Sequence, residues 1–285
     1  MPAALLPRPA LSPSPPDNEF TFSHADFERV RALIYRHAGI SLHDGKRAMV
    51  YSRLTRRLRD NGERDFGAYL RRLDSLPAGH EQWQEFVNCL TTNLTAFFRE
   101  DHHFVLLVED LQGRRGGPIR MWCAAASTGE EPYSLAMTAQ ETLGSGANLT
   151  LLASDIDTAV LATARRAVYE TDARGLSPER LRRHFQRGTG VNAGHIRVKP
   201  ELARLVEFRS FNLMRADWSS LGGPMDIVFC RNVMIYFDAP TQRRVLEQIH
   251  RATRPGAMLY VGHSENFTES RDLFRLRGKT VYERV

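Results

Sequence analysis

Three acids and one Arg–Asn pair stand where this chain could do chemistry. Glu130 and Glu131 follow a run of small residues and threonine, Ala124 to Gly129. Asp155 closes the apolar run that starts at Leu149, and Arg231-Asn232 closes another, Met225 to Cys230. A small-residue loop lets the backbone approach a ligand closely, as glycines do in dinucleotide-binding folds. This loop is not GxGxxG, however, and two acids occupy positions where a pyrophosphate needs bare N–H groups. It suits a ligand that carries an adenosine and no phosphates. S-adenosylmethionine, cationic at sulfur, has that chemistry. An ordinary strand–helix connection is the competing reading of the loop alone. A carboxylate such as Asp155 can accept both hydroxyls of a ribose. It can equally cap the helix that follows, a service Asp157 also offers.

The elements that must position these residues alternate between strand and helix. Ile119-Arg120-Met121-Trp122-Cys123 is an apolar strand after the breaker Gly116-Gly117-Pro118. Glu130-Glu131-Pro132 then opens a helix, with proline near its first turn and acids at the positive end of the dipole. Leu149–Asp155 is a second strand. Met225–Cys230 is a further buried strand that delivers Arg231-Asn232 to the carboxyl edge of a sheet, where ligands sit in open α/β folds. A helix over Thr241–Thr253, a strand over Ala257–Val261, and a closing hairpin from Phe274–Arg277 and Thr280–Arg284 complete the pattern. One segment interrupts it. From about Thr171 to Phe208 the chain is basic and then Gly-rich. His195–Lys199 and Leu205–Phe208 alternate like strands of a small antiparallel sheet. Such an insertion is either a surface excursion or an exposed edge that accepts an extended peptide.

Upstream the pattern is helical from Phe20 to about Val87. Ser23–Asp26 offers a cap, and Phe27, Val30, Leu33 and Ile34 recur at helical spacing. A second helix runs from about Gly45 to Asp60, a third holds Phe66, Tyr69, Leu70 and Leu73, and a fourth holds Trp83, Phe86, Val87 and Leu90. On the second helix Val50, Leu54 and Leu58 form the core stripe. Lys46, Arg53, Arg56 and Arg57 gather beside it on an arc of roughly 100°. That face is either a solvated basic surface or a dock for an acidic helix or a nucleic-acid backbone. Residues 1–19 are proline-rich and read as a disordered tail.

Composition narrows the classes. The 285 residues are 42% hydrophobic and 25% charged, the balance of an ordinary globular protein with one large or two modest domains. No apolar run approaches a membrane span, and the N-terminus lacks the pattern of a signal peptide. Cys89, Cys123 and Cys230 have no CxxC spacing, which disfavours a zinc site or a disulfide framework and points to a reducing cytoplasm. A net charge of +6 favours acidic partners. No metal-spaced cluster and no Ser–His–Asp or Cys–His arrangement is visible.

Four strings carry a more specific signal. TTNLTAFFRE (91–100), CAAASTGEEPYSLA (123–136), SDID (154–157) and FCRNVMIYFD (229–238) occur in this order. Together they closely resemble the bacterial chemotaxis receptor methyltransferases, which are S-adenosylmethionine-dependent protein-glutamate O-methyltransferases. The similarity runs from about Phe20 to the C-terminus and leaves only the proline-rich tail unexplained. It implies an α/β fold: a Rossmann-like methyltransferase sheet over 91–285, an N-terminal all-helical domain over 20–90 that docks the receptor, and a small antiparallel β insertion at about 171–208. It implies S-adenosylmethionine as methyl donor and S-adenosylhomocysteine as product. By resemblance Asn93, Thr95 and Arg99 line the cofactor or acceptor side, and Glu130 lies in the cofactor loop. Asp155 holds the ribose, while Asn212, Leu213, Arg231 and Asn232 contact the adenine and amino-acid ends. Arg99 and Tyr236 orient the acceptor carboxylate. Lys46, Arg53, Arg56 and Arg57 become the receptor-docking face, against an acidic helical bundle. In some members a subdomain at the insertion binds a short C-terminal receptor peptide.

The chemistry agrees with the absent clusters. A glutamate is already ionised at neutral pH, so its methylation needs no general base. His102, His103 and His263 are not required by such a mechanism. The expected protein is a cytoplasmic monomer without membrane insertion, nucleic acid or metal. Two other functions remain: a methyltransferase with a nucleic-acid acceptor, and a catalytically silent receptor-binding adaptor. The first lacks an Asn/Asp-Pro-Pro-aromatic motif and a Cys after Pro. The second is disfavoured by the intact motif residues.

Overall fold

The computed structural model describes residues 19–77, 79–114 and 116–285. The proline-rich tail of the sequence reading thus lies outside the described residues, apart from Glu19. The chain begins with four helices: α1 (His24–Ala38), α2 (Arg47–Asp60), α3 (Phe66–Ser75) and α4 (Glu81–Leu90). Ser23 and Asp26 form a reciprocal capping box that starts α1, and Asp65 caps α3. Their apolar stripes close on one core, with Val30, Ile34, Leu54, Phe66 and Phe86 fully buried. That core extends to Ile156 and Tyr236, so the helical layer is packed on the rest of the chain.

The remainder alternates as the sequence predicts. In order come α5 (His102–Gly113), β1 (Ile119–Cys123), α6 (Glu130–Leu143), β2 (Leu149–Asp155) and α7 (Thr158–Arg166). Then follow β3 (Val168–Glu170), α8 (Pro178–His184), β4 (Phe185–Arg187), β5 (His195–Val198), α9 (Pro200–Ala203) and β6 (Val206–Ser210). The chain ends with β7 (Met225–Phe229), α10 (Ala239–Ala252), β8 (Thr253–Tyr260), β9 (Phe274–Gly278) and β10 (Val281–Arg284). Among the described residues no helix is long and apolar enough to cross a membrane.

Seven strands form one sheet in the order β6-β2-β1-β7-β8-β10-β9. The pairs among the first five are parallel, and β10 runs antiparallel to β8 and β9. From β1 the chain steps outward to β2 and β6, then returns to β7 on the other side of β1. That reversal opens a crevice at the carboxyl ends of β1 and β7, the place where open α/β sheets hold ligands. β7 is buried along its whole length, as a central parallel strand covered on both faces must be.

The insertion differs from the expected pairing. His195–Val198 is the middle strand of a three-stranded antiparallel sheet, but its partners are β3 and β4. Leu205–Phe208 does not join it. Val206–Ser210 pairs parallel with β2 and forms the edge of the main sheet. Period-two alternation marks a half-buried edge strand in either sheet, and the sequence carries no sign of which sheet receives it. The strands of the small sheet therefore lie within 168–198.

Candidate functional site

A cavity of about 340 Å³ lies at the crevice, within the usual size of small-molecule sites. Ala124, Ala125 and Ser127 come from the loop after β1, Asp155 and Ile156 from the end of β2, and Arg231 and Asn232 from the loop after β7. Residues 40–43, with Lys46 and Met49, close it from the helical side. The short link Ala38–Leu42, which reads in the sequence only as a break between helices, is thus a wall of the site.

Asp155 is buried at the floor. Its Oδ2 accepts the N–H of Ser127 at 2.8 Å and its Oδ1 that of Asp157 at 2.9 Å. Each oxygen keeps a lone pair for a ligand hydroxyl. Burial pushes its carboxyl up to about 6, against the pull of those two backbone bonds. Asp157 performs the other duty that the sequence leaves open: it caps α7 through Ala159 and Val160. Its Oδ2 also takes the Thr91 hydroxyl at 2.7 Å and the Asn93 amide at 2.8 Å. One acid is left facing the cavity because its neighbour serves the helix.

Arg231 crosses beneath the loops. It is buried, and it donates to Glu131 Oε2 at 2.7 Å and to the carbonyl of Arg99 at 2.5 Å. Glu100 Oε2 lies 3.2 Å from the same guanidinium. Burial raises the Glu100 carboxyl, but His263, Arg231 and Asn232 together outweigh it and hold it at about 2. The arginine ties β7, α6 and the segment around Arg99 into one block. Breaking such a buried pair costs about 3–5 kcal/mol. Glu265 ties the other loops: it accepts N–H groups of Asn232, Met234 and Gly262 at 3.0, 2.8 and 2.6 Å. Nothing in the local sequence marks Glu100 or Glu265, because Arg231, Asn232 and Met234, which hold them, lie on a distant segment.

Backbone strain gathers here. Phe98, Glu100, Ser127 and Asn232 all take positive φ, between 47° and 57°. Non-glycine residues in this region cost about 1–3 kcal/mol each and persist where the surroundings over-determine them. All four lie in the loops that carry the cavity's polar groups.

Residues 25–91 match the family described as CheR methyltransferase, all-alpha domain, and residues 93–283 match CheR methyltransferase, SAM binding domain. The chain belongs to the CheR methyltransferase family. It is 52% identical over 262 residues to the chemotaxis protein methyltransferase of Escherichia coli strain K12, covering 91% of each chain. It is 51% identical over 280 residues to chemotaxis protein methyltransferase 2 of Pseudomonas aeruginosa, covering 96% of this chain and 99% of that one. This CheR-family chain is a methyltransferase, and S-adenosylmethionine is its methyl donor.

The cavity fits that donor. Its acids suit a ligand with a ribose diol and positive charge, and a cavity of this size accepts an adenosine with its amino-acid arm. Of the residues singled out in the sequence, Asn93, Thr95, Arg99, Asp155, Asn212, Leu213, Arg231, Asn232 and Tyr236 all line it. Arg99 donates to the carbonyl of Leu94 at 3.0 Å. Asn212 donates to the carbonyl of His37 at 2.6 Å, so its amide also joins the helical layer to the sheet.

Glu130 is not among the residues that line the cavity; its carboxylate accepts the Thr128 hydroxyl at 2.6 Å, and burial pushes it upward. Glu131 lines it instead. Adjacent helix residues point about 100° apart, and the pair EE gives no sign of which faces the loop. The four cations of the basic arc have different surroundings. Arg53 donates to the carbonyls of Cys89 and Thr91, and Arg57 pairs with Glu85. Both are half-buried, and they hold the end of α4. Lys46 and Arg56 are exposed, and Lys46 also lines the cavity. The long flexible stems of Arg53 and Arg57 reach across to α4, which a helical wheel does not show. His103, set aside in the sequence, is fully buried. Its Nε2 lies 3.0 Å from the carbonyl of Lys279, and burial with Arg231 lowers it to about 4.

Proposed function

We propose that the chain transfers the methyl of S-adenosylmethionine to glutamate side chains on the cytoplasmic helices of chemoreceptors, forming methyl esters for chemotactic adaptation. The observation that carries this reading is the mixed parentage of the cavity. The cofactor loops form its floor, and the helical layer forms its wall. Arg99 and Tyr236 stand on that lining beside Leu94 and Ile235, two exposed apolar side chains. An acceptor presented there meets the donor and the helical layer together.

When bound, the donor supplies an electrophilic methyl on a sulfonium, which leaves as a neutral thioether as the glutamate oxygen takes the methyl. The chain's residues do the rest by alignment and by excluding water. Asp155 accepts the ribose hydroxyls. Glu131 faces the positive end, with Arg231 fixing its orientation, while Asn93, Thr95, Asn212, Leu213 and Asn232 line the adenine and amino-acid ends. Arg99 and Tyr236 orient the acceptor carboxylate. A tight bidentate grip by Arg99 would lower the nucleophilicity of that oxygen, so the useful contact is a single positioning one.

The same reading divides the chain into a helical unit over 20–90, which docks the receptor's acidic bundle, and a methyltransferase unit over 91–285. Lys46 and Arg56 are the docking cations left exposed. The edge strand β4, with Arg187, offers an extended receptor peptide a place to pair. The protein acts as a monomer in the cytoplasm. The test uses labelled S-adenosylmethionine and receptor membranes, followed by alkali. Volatile labelled methanol is the expected result. Label on nucleic acid, or receptor binding without transfer, overturns the proposal.

A further inference from the structure

The backbone that presents Arg99 is braced from one side by the inserted subdomain. Phe98 and Glu100, on either side of Arg99, have φ of 51° and 55°. Non-glycine residues keep this conformation only where their surroundings impose it. Several of the contacts that impose it come from the insertion. Arg180 on α8 lays its guanidinium 3.8 Å from the centroid of the Phe98 ring, a cation–π distance. Its fork is fixed from behind by Glu141 on α6, with Nη2 to Oε2 at 2.9 Å. Gly175 has φ +92°, and a Cβ there would stand 1.8 Å from the carbonyl oxygen of Phe97. Backbone therefore meets backbone at that point, and no side chain fits between. The Phe97 ring stands edge-on to Tyr169 of β3 at 4.9 Å and to Phe185 of β4 at 5.7 Å. Tyr169 also donates its hydroxyl to the carbonyl of Thr128, in the loop after β1, at 2.9 Å.

We propose that the inserted subdomain is a positioning element for the transfer reaction, with Arg180 as the residue through which it sets Arg99. This rests on the reading of Arg99 as the group that orients the acceptor carboxylate. Arg180 does not line the cavity and acts only through Phe98. Its removal relaxes the strained turn and lets the Arg99 guanidinium drift, while Asp155 and Glu131 stay in place. Turnover then falls and donor binding does not.

The test uses the full chain with receptor membranes and compares Arg180→Ala, Arg180→Lys, Arg99→Ala and the double Arg99→Ala/Arg180→Ala variant. Arg180→Ala is expected to lower kcat about tenfold, a loss typical of slight misalignment. S-adenosylhomocysteine affinity by calorimetry stays unchanged. Lysine keeps the charge toward Glu141 but loses the planar stack, so Arg180→Lys recovers only part of the rate. On the Arg99→Ala background the Arg180 substitution has no further effect, because both act on one group. Phe98→Leu removes the ring from the other side and lowers kcat alike, which keeps the test open if Arg180→Ala fails to fold. Wild-type kcat in Arg180→Ala or Phe98→Leu beside a slow Arg99→Ala overturns this inference alone. So do multiplicative losses in the double variant, or a parallel fall in kcat, cofactor affinity and melting temperature. Wild-type kcat in Arg99→Ala overturns the underlying reading of Arg99, and this inference with it.

Discussion

Asp155 carries a prediction that the geometry makes quantitative. Burial holds its carboxyl at about 6 in the cofactor-free protein. Ribose hydroxyls donate best to the ionised form, so binding holds Asp155 deprotonated and draws its pKa down. Affinity is then constant above about pH 7 and is lost as pH falls through 6, approaching tenfold per pH unit. Near pH 5, one unit below that carboxyl's pKa of about 6, S-adenosylhomocysteine binds about tenfold more weakly, about 1.4 kcal/mol. Asp155→Asn cannot titrate there. Its single carbonyl serves one of the two N–H groups that Ser127 and Asp157 now direct at the carboxylate. Its amide is turned against the other. Loss of one or two charged hydrogen bonds to the diol, at about 1.5–3 kcal/mol each, weakens binding at least about tenfold at pH 7.5. The fold tolerates the change. An upward shift from 3.8 to about 6 means that the buried charge costs about 3 kcal/mol at neutral pH, a cost absent below about pH 4. Removing that charge offsets the mismatched amide. The assay is calorimetry with S-adenosylhomocysteine from pH 5 to 8, free of any step in turnover. Glu130 also titrates high but lies off the cavity, so Glu130→Gln is a control that keeps the pH dependence. Flat wild-type affinity across that range, wild-type affinity in the Asn variant, or a persistent pH dependence in that variant refutes the reasoning.

Other perturbations follow from the same geometry. Arg231→Lys replaces a fork shared by Glu131, Glu100 and the Arg99 carbonyl with a single point of charge. It is expected to lose about 3 kcal/mol in denaturant unfolding. Glu131→Gln is expected to weaken S-adenosylhomocysteine binding severalfold in calorimetry, whereas Glu130→Gln leaves it unchanged, because only Glu131 lines the cavity. Leu94→Ser and Ile235→Ser remove apolar side chains that are 80% and 49% exposed beside Arg99 and Tyr236. If they pack against the acceptor helix, each raises KM for receptor membranes severalfold while cofactor affinity holds. Equal KM values in both variants would remove that contact.

What the sequence could reveal here follows the range of the interactions involved. The strand Leu149–Asp155 and the helix that starts after Gly129 are legible because apolar runs and breakers are local signals. The crevice residues are legible because strand ends in an alternating α/β chain must share one edge. The misreadings involve choices that local pattern does not encode. EE leaves open which carboxylate faces the loop, and only the packing of α6 against β1 and Arg231 selects Glu131. The wheel of α2 puts four cations on one arc, yet two of them are drawn to α4 by carbonyls and an acid on other segments. Leu205–Phe208 alternates equally well for either sheet, and its parallel pairing with β2 goes with α7, which follows β2 and packs against both strands. Least visible are Glu100, which is half-buried, and Glu265, which is buried; most of their partners lie far along the chain. The first is held by Arg231, His263 and Asn232, and the second by the N–H groups of Asn232 and Met234 on the loop after β7 and of Gly262 in its own turn. These acids fix the loops that carry Arg99, Asn232 and Tyr236. The precision of the site therefore depends on its longest-range contacts, and substitutions at such acids should disturb chemistry that they never touch.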